Sequence, residues 1–224
     1  MKQVVCVAAG LAWAAVCPAQ LTREQKAADF GQLAALYAKN FAPYEWKRET
    51  LHYDLFDLAP WMDRVARSKD DLEFYEICAE YVSRFESAHD VFSVFSSFSA
   101  ELPFAADIYD GKVLIDFIAR SRLPAAEYRF QTGDELVSID GKRAGDLIRE
   151  LERYGISSNP RSAGRSAAGL LTFRPQWLIP RAHEIGENAE ITVRRASGDL
   201  ETYSIPWIKS GEPVTSVGPV PSPR

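Results

Sequence analysis

Cysteine is scarce in this chain: three in 224 residues, of which Cys6 and Cys17 fall within the first twenty. Loss of that leading stretch leaves Cys78 alone, so no intramolecular disulfide framework and no cysteine-rich zinc site is expected. Cys78 lies inside an amphipathic run and reads as a buried, inert thiol. Histidine is equally sparse, and His52, His89 and His183 show neither helix-type nor finger-type metal spacing. No metal and no cofactor are expected. Positive charge is not concentrated anywhere: 26 Lys and Arg stand against 31 Asp and Glu, for a net charge of -5. The one loose group, Arg161, Arg165, Arg174 and Arg181, is diluted by Gly, Ala and Pro and reads as a solvated face. Nucleic-acid binding, which needs clustered cations to neutralise phosphates, is thereby excluded. The sequence also lacks a GxSxG elbow and a Gly-rich phosphate loop, so the commonest hydrolase and nucleotide signals are missing.

What is present begins with a leader. Lys2, an apolar run from Val4 to Val16 and a small-residue exit at Cys17-Pro18-Ala19 fit a secretory signal peptide over residues 1–19, cleaved after Ala19. A membrane anchor is the rival reading, but the apolar run is short for a bilayer. A lipoprotein using Cys17 is disfavoured by the bulky Val16. The expected location is periplasmic or secreted, with no stable membrane insertion once the leader is removed.

With 46% hydrophobic and 25% charged residues, the remainder is ordinary for a globular protein of one or two domains. Residues 20–90 read as a small helical domain. Thr22 and Gln25 form a capping box ahead of a helix to about Asn40, with Phe30, Leu33, Leu36 and Tyr37 on one face. Phe41 to Pro60 reads as a connector with Tyr44, Trp46, Tyr53 and Phe56 packing down. A short helix follows over Pro60 to Lys69, and Asp70 or Asp71 caps another that carries Leu72, Tyr75, Ile77, Cys78, Tyr81, Val82 and Phe85. From residue 91 the pattern turns to short strands. Phe104 to Tyr109 and Lys112 to Ile118 flank Asp110-Gly111, a hairpin signal. Ala189 to Arg195 and Leu200 to Trp207 form a closing hairpin. Between them, residues 155–186 carry three Pro and four Gly and read as a long loop with a small Ala-rich helix over Ser162 to Leu171. Residues 209–224, with four prolines, read as a tail or linker.

The stretch FQTGDELVSIDGKRAGDLIREL, Phe130 to Leu151, runs a β-branched strand into an Asp-Gly turn and then a helix whose apolar positions are Ala144, Leu147, Ile148 and Leu151. GDELVSIDGK followed by this helix resembles the bacterial PDZ domain, in which such a segment precedes the helix that walls the peptide groove; Leu123 to Tyr128 then falls where that domain has its short first helix. The resemblance implies an α+β fold: a small N-terminal helical domain, then over residues 91–208 a PDZ-like, partly open β-barrel with one main flanking helix and the long inserted loop. It also implies a groove with Phe104 and Ala106 on its strand and Leu147 and Leu151 on its helix, and, as partner, an extended peptide or unfolded protein segment. The usual carboxylate-binding loop corresponds to Glu101-Leu102-Pro103-Phe104, where Pro103 offers no N–H and no Gly supplies backbone freedom.

The order of parts, together with ESAHDVF and GDELVSIDGK, resembles the front of the S41 peptidases, the C-terminal processing and tricorn-type serine proteases. By that resemblance His89 is the general-base candidate for a serine contributed by a later catalytic domain, with Asp90 beside it. Ala88 stands where tricorn-type members often have Ser. The expectation is therefore a non-catalytic front part of an exported S41-type peptidase, a truncated gene product or a fragment, inert alone, that binds or presents extended peptides. A stand-alone periplasmic PDZ-like adaptor and a purely structural exported domain with a closed groove are the alternatives.

Overall fold

The computed structural model describes residues 20–216; the expected signal peptide and the last eight residues of the Pro-rich tail lie outside them. Four helices open the chain: α1 (Arg23–Asn40), α2 (Tyr44–Leu51), α3 (Ala59–Arg67) and α4 (Asp71–Ser83). The capping box forms as the sequence predicts, with Gln25 N–H donating to Thr22 and Thr22 N–H to the Gln25 side chain. Asp70 rather than Asp71 caps α4, accepting from the Glu73 N–H at 2.8 Å. Phe30, Trp61, Val65, Ile77, Cys78, Val82 and Phe85 close around Tyr81, whose ring meets Phe30, Trp61 and Phe85 edge-on at 4.9 to 5.3 Å. Each such side chain contributes about 1.5–3 kcal/mol by leaving water. The supposed connector holds α2, a helix that turns Trp46 outward, and Phe56 beyond it is also largely exposed, so of the four aromatics only Tyr44 and Tyr53 pack down.

The second part is built on two antiparallel sheets. β2 (Phe104–Tyr109), β3 (Lys112–Ile118), β4 (Glu135–Ile139), β7 (Asn188–Arg194) and β8 (Leu200–Pro206) run in that spatial order, and β5 (Lys142–Arg143) pairs with β4. Asp110-Gly111 and Asp140-Gly141 all take positive φ, the backbone of the two-residue turns expected from the sequence. A smaller sheet places β1 (Ser99–Glu101) between β6 (Phe173–Pro175) and β9 (Ile208–Ser210). Ile115, Leu136, Ile139, Ile191, Val193 and Ile205 fill the core beneath α5 (Ala144–Leu151) and α6 (Pro160–Gly169). The fold is α+β, a helical N-terminal region followed by a PDZ-like domain.

Three local expectations are corrected. Leu123 to Tyr128 forms turns, not a helix; Arg120 reaches across them to the carbonyls of Leu123, Tyr128 and Phe130. Residues 155–186 are packed rather than loose: the Ala-rich helix is there as α6, and Ala167, Ala168, Leu171 and Gln176 are all buried. The linker reading fails for residues 209–216, because β9 needs only backbone to pair with β1, and Val214 N–H donates to the Gln176 side chain at 2.8 Å.

The two parts are joined by charge and packing. Arg181 pairs with Asp70 of the helical region at 2.6 Å and lies 3.6 Å from Glu76, which also accepts from the Tyr154 hydroxyl at 2.8 Å. Phe92 packs against both cores.

Candidate functional site

β2 is an outermost strand, so one side of its backbone has no partner strand. Ile115, opposite Ala106, spends its N–H on Asp134 and its carbonyl on Gly133. That pair is therefore not hydrogen-bonded, and the Ala106 backbone faces the open edge. Alternation from the Asp110-Gly111 turn gives Ile108 the same outward orientation. Its N–H is already taken: it donates to Asp107 Oδ1 at 2.7 Å. Arg165 of α6 donates its Nε to Asp107 Oδ2 at 2.9 Å. The Arg165 hydrogen bond, aided by the Ile108 N–H, holds the Asp107 carboxyl below its ordinary value against the opposing effect of burial. Alongside, Gly164 approaches so closely that a β-carbon there would meet Ile108 Cδ1 at 3.3 Å. The open edge of β2 is thus latched by α6.

At the start of β2 the carboxylate loop is closed by the chain itself. Leu102 N–H donates to the Thr172 carbonyl at 2.8 Å, and Pro103 has no N–H to offer. Beside it lies a cavity of about 420 Å³ walled by Pro103, Phe104, Phe117, Phe173 and Ile208, with Glu101 and Arg122 at its margin. A cleft of about 500 Å³ between α4 and the α5 region has walls of a different kind, dominated by Glu80, Arg84, Arg149, Glu150 and Arg153. Its charged rim is unlike the side-chain pockets that a strand-adding peptide uses.

The four groove residues read from sequence enter one core. Phe104, Ala106 and Leu151 are buried in it and Leu147 is half-buried against it. Phe104 packs edge-on to Phe130 at 5.9 Å. The helix along β2, however, is α6; α5 packs on β3, β4 and α6. Sequence reasoning passed over Gly164, Arg165 and Asp107 as site residues. The available signal was Asn159-Pro160 with Ser162, which forms a second capping box and marks α6 as a firm helix.

His89 lies exposed in a turn after α4, its N–H donating to Ser87 Oγ at 3.4 Å. Among the described residues no group hydrogen-bonds its ring. Asp90 turns instead to Tyr37, whose hydroxyl is raised to about 12, by burial first and by Asp90 second. The two neighbours in sequence do not form a base and its orienter.

Comparison with known proteins agrees with this architecture. An uncharacterized protein of Chlamydia muridarum (strain MoPn / Nigg) is 25% identical over 192 residues, 83% of this chain and 30% of that protein. Mature CPAF complexed with lactacystin shares the fold with a TM-score of 0.71 at 21% identity, over 86% of this chain and 36% of that one. A serine-to-alanine mutant of CPAF aligns with a TM-score of 0.68 at 20% identity, over 84% of this chain and 34% of that one. The chain spans about a third of the length of these relatives. Residues 98–215, more than half of the chain, match the PDZ domain family; with its latched strand edge and flanking helices, this chain belongs to the PDZ domain family.

Proposed function

We propose that this chain is the non-catalytic, peptide-handling front of an exported serine peptidase of the S41 type. An extended peptide or unfolded segment adds as a strand to the open edge of β2. The observation that carries this is the outward-facing backbone at Ala106 and Ile108 beside α6. Main-chain hydrogen bonds supply affinity in this mode, and side-chain pockets supply preference. To admit the peptide, Asp107 gives up the Ile108 N–H and α6 yields at Arg165. The apolar cavity at the start of β2 receives a side chain near the peptide's end, in place of carboxylate capture by the loop. The fold shared with CPAF, solved in complex with lactacystin, is consistent with this assignment. In this reading His89 is the general base for a serine on another domain, so residues 20–224 alone cleave nothing.

The probe is reduced, carboxymethylated α-lactalbumin, a permanently unfolded chain. Binding without cleavage is expected for residues 20–224. Ala106→Pro removes an outward N–H that no strand uses and abolishes binding, whereas Arg165→Ala strengthens it. Equal binding by the wild type and Ala106→Pro, with unchanged circular dichroism, contradicts strand addition. Cleavage lost in His89→Ala contradicts the inert front. A stand-alone periplasmic adaptor is the second reading, favoured by the lack of a partner at the His89 ring among the described residues. The DNA after the Arg224 codon separates the two: a following serine peptidase domain, in frame or frameshifted, supports the first reading, and a clean stop followed by an unrelated gene supports the adaptor. Export is checked by N-terminal sequencing of the secreted protein, expected to begin at Gln20.

A further inference from the structure

The long sheet has two outermost strands, and the fold treats them differently. β2 is blunted by Asp107 and flanked by α6, whereas no helix is packed along β8. The neighbouring strand fixes which way the β8 backbone faces. Asp140 N–H donates to the Glu190 carbonyl at 2.7 Å, so Glu190 turns its backbone toward β4, and its opposite number Ser204 belongs to a pair that is not hydrogen-bonded. Trp207 N–H, bonded to the Glu187 carbonyl at 2.9 Å, has the other phase, as alternation requires. Leu200, Thr202 and Ser204 therefore point their N–H and carbonyl groups away from the sheet, and among the described residues nothing bonds to those backbone groups. The seven residues of β8 pair with β7 without a bulge and carry no lysine and no proline before Pro206, so most of the devices that blunt an edge are missing. The one charge, Glu201, is bound by Arg195 at 3.1 Å and lies 3.3 Å from Arg129. On its face Tyr203 packs against Tyr128 and Phe130, and on the other face Leu200 and Thr202 are exposed.

We propose that β8 is a second strand-addition edge, and that the ligand of this chain is an unfolded polypeptide long enough to pair with β2 and β8 at once. This inference rests on the proposed function and adds a length requirement to it. The β8 edge offers backbone hydrogen bonds but no flanking helix to wall a groove, so by itself it holds a strand weakly. A polypeptide already paired at β2 reaches it at high effective concentration, which converts the weak contact into avidity. A second copy of the chain has no segment already held at β2 and gains no such help. Reach sets the ligand class. β2 and β8 are four strand spacings apart in the order β2-β3-β4-β7-β8, about 19 Å along the sheet. At about 3.3 Å per residue, about six residues cross the sheet, and with about five on each edge about sixteen is the least that fills both. Short peptides fill one edge, and unfolded proteins fill two. Side chains that pack beside Thr202 and Tyr203 are β-branched or aromatic, the types that pair best across strands.

The test compares Thr202→Pro, which removes an outward N–H that no strand uses, with Thr202→Ala, which keeps it. Affinity for full-length carboxymethylated α-lactalbumin is expected to fall about tenfold or more in Thr202→Pro and to stay unchanged in Thr202→Ala. A peptide of about eight residues from the same protein, too short to reach both edges, binds Thr202→Pro and the wild type alike. Amide exchange of the wild type gains protection at Leu200, Thr202 and Ser204 with the full-length probe and not with the short peptide. Equal affinity of Thr202→Pro and the wild type for the full-length probe, or no new protection on β8, overturns the proposal. Protection on β8 that appears without the probe and grows with protein concentration identifies a second copy as the occupant and overturns it too. Should Thr202→Pro melt below the wild type, Ser204→Pro at the next outward N–H takes its place, and the exchange measurement on the wild type decides without any variant. Short-peptide binding that survives Ala106→Pro counts against the peptide-handling reading at β2, whereas loss of the β8 effects alone leaves that reading standing.

Discussion

Asp107 shows how much of the candidate site rests on single side chains. Its carboxylate satisfies an outward N–H of its own strand and anchors Arg165 of α6, so one residue both blunts the sheet edge and holds the helix that guards it. Arg165→Ala is expected to leave the melting temperature nearly unchanged, since an exposed ion pair is worth little, while raising affinity for an unfolded chain measured by fluorescence anisotropy. Gly211 makes a second prediction. At φ +74° it presses on the backbone of Ser97 and Phe98, where an added β-carbon would collide with the Ser97 carbonyl. Gly211→Ala should cost about 1–3 kcal/mol in urea unfolding by combining left-handed backbone strain with that clash. At this scale the sequence was legible where a residue acts alone: Pro103 announces a loop short of N–H donors. It was silent where the partner is distant, because nothing local says that Thr172 takes the Leu102 N–H or that Arg165 meets Asp107, 58 residues away.

Elements with their own punctuation were readable in advance. The β2–β3 hairpin follows from apolar alternation around Asp110-Gly111, and α1 from its capping box. Residue type alone does not decide which helix lies along β2. α5 has the stronger apolar stripe, but α6 has Gly164, a position small enough for its backbone to come against Ile108. The tail carries no strand signal for a related reason, since β9 is recruited by backbone pairing to β1 and needs no side-chain pattern. Among the helices, α4 depends on Asp70, which caps it and binds Arg181 across the junction of the two parts. Asp70→Ala should lose about 1–2 kcal/mol for the cap alone, and more in total because Arg181 forfeits a partner. Asp70→Asn, which keeps the cap and loses the charge, should recover the cap's share in thermal or urea unfolding.

Over the whole molecule, buried charge and buried phenols set the pH range of stability. Asp70, Glu80 and Asp107 have lowered pKa values. For Asp70 and Glu80 burial pushes upward, but the Glu73 N–H with Arg181 and the Arg64 guanidinium outweigh it; for Asp107 the Arg165 hydrogen bond leads. Such groups stabilise the fold above the ordinary carboxylate pKa of about 4, and the contribution is lost as pH falls through the lowered values. Tyr37 is raised to about 12, and Tyr53, Tyr81 and Tyr154 are raised as well, each chiefly by burial. Their contribution is complete below the ordinary phenol pKa of about 10 and is lost as pH climbs through the raised values. Thermal unfolding monitored by circular dichroism should therefore show a plateau between about pH 5 and about pH 10 with a fall on either side; a maximum confined to pH 4 or below contradicts these assignments.

At the same scale, a helical region and a PDZ domain are packed into one body, and the proposed function places an extended peptide at the open edge of β2. No helix among the described residues is long and apolar enough to cross a membrane. The central claim is that peptide is received at the open edge of β2. Amide hydrogen exchange of residues 20–224, with and without carboxymethylated α-lactalbumin, tests it most directly. The account predicts new protection at Ala106 and Ile108, greater in Arg165→Ala than in the wild type. Protection confined to other strands, or to the charged cleft at Glu80 and Arg153, would contradict it.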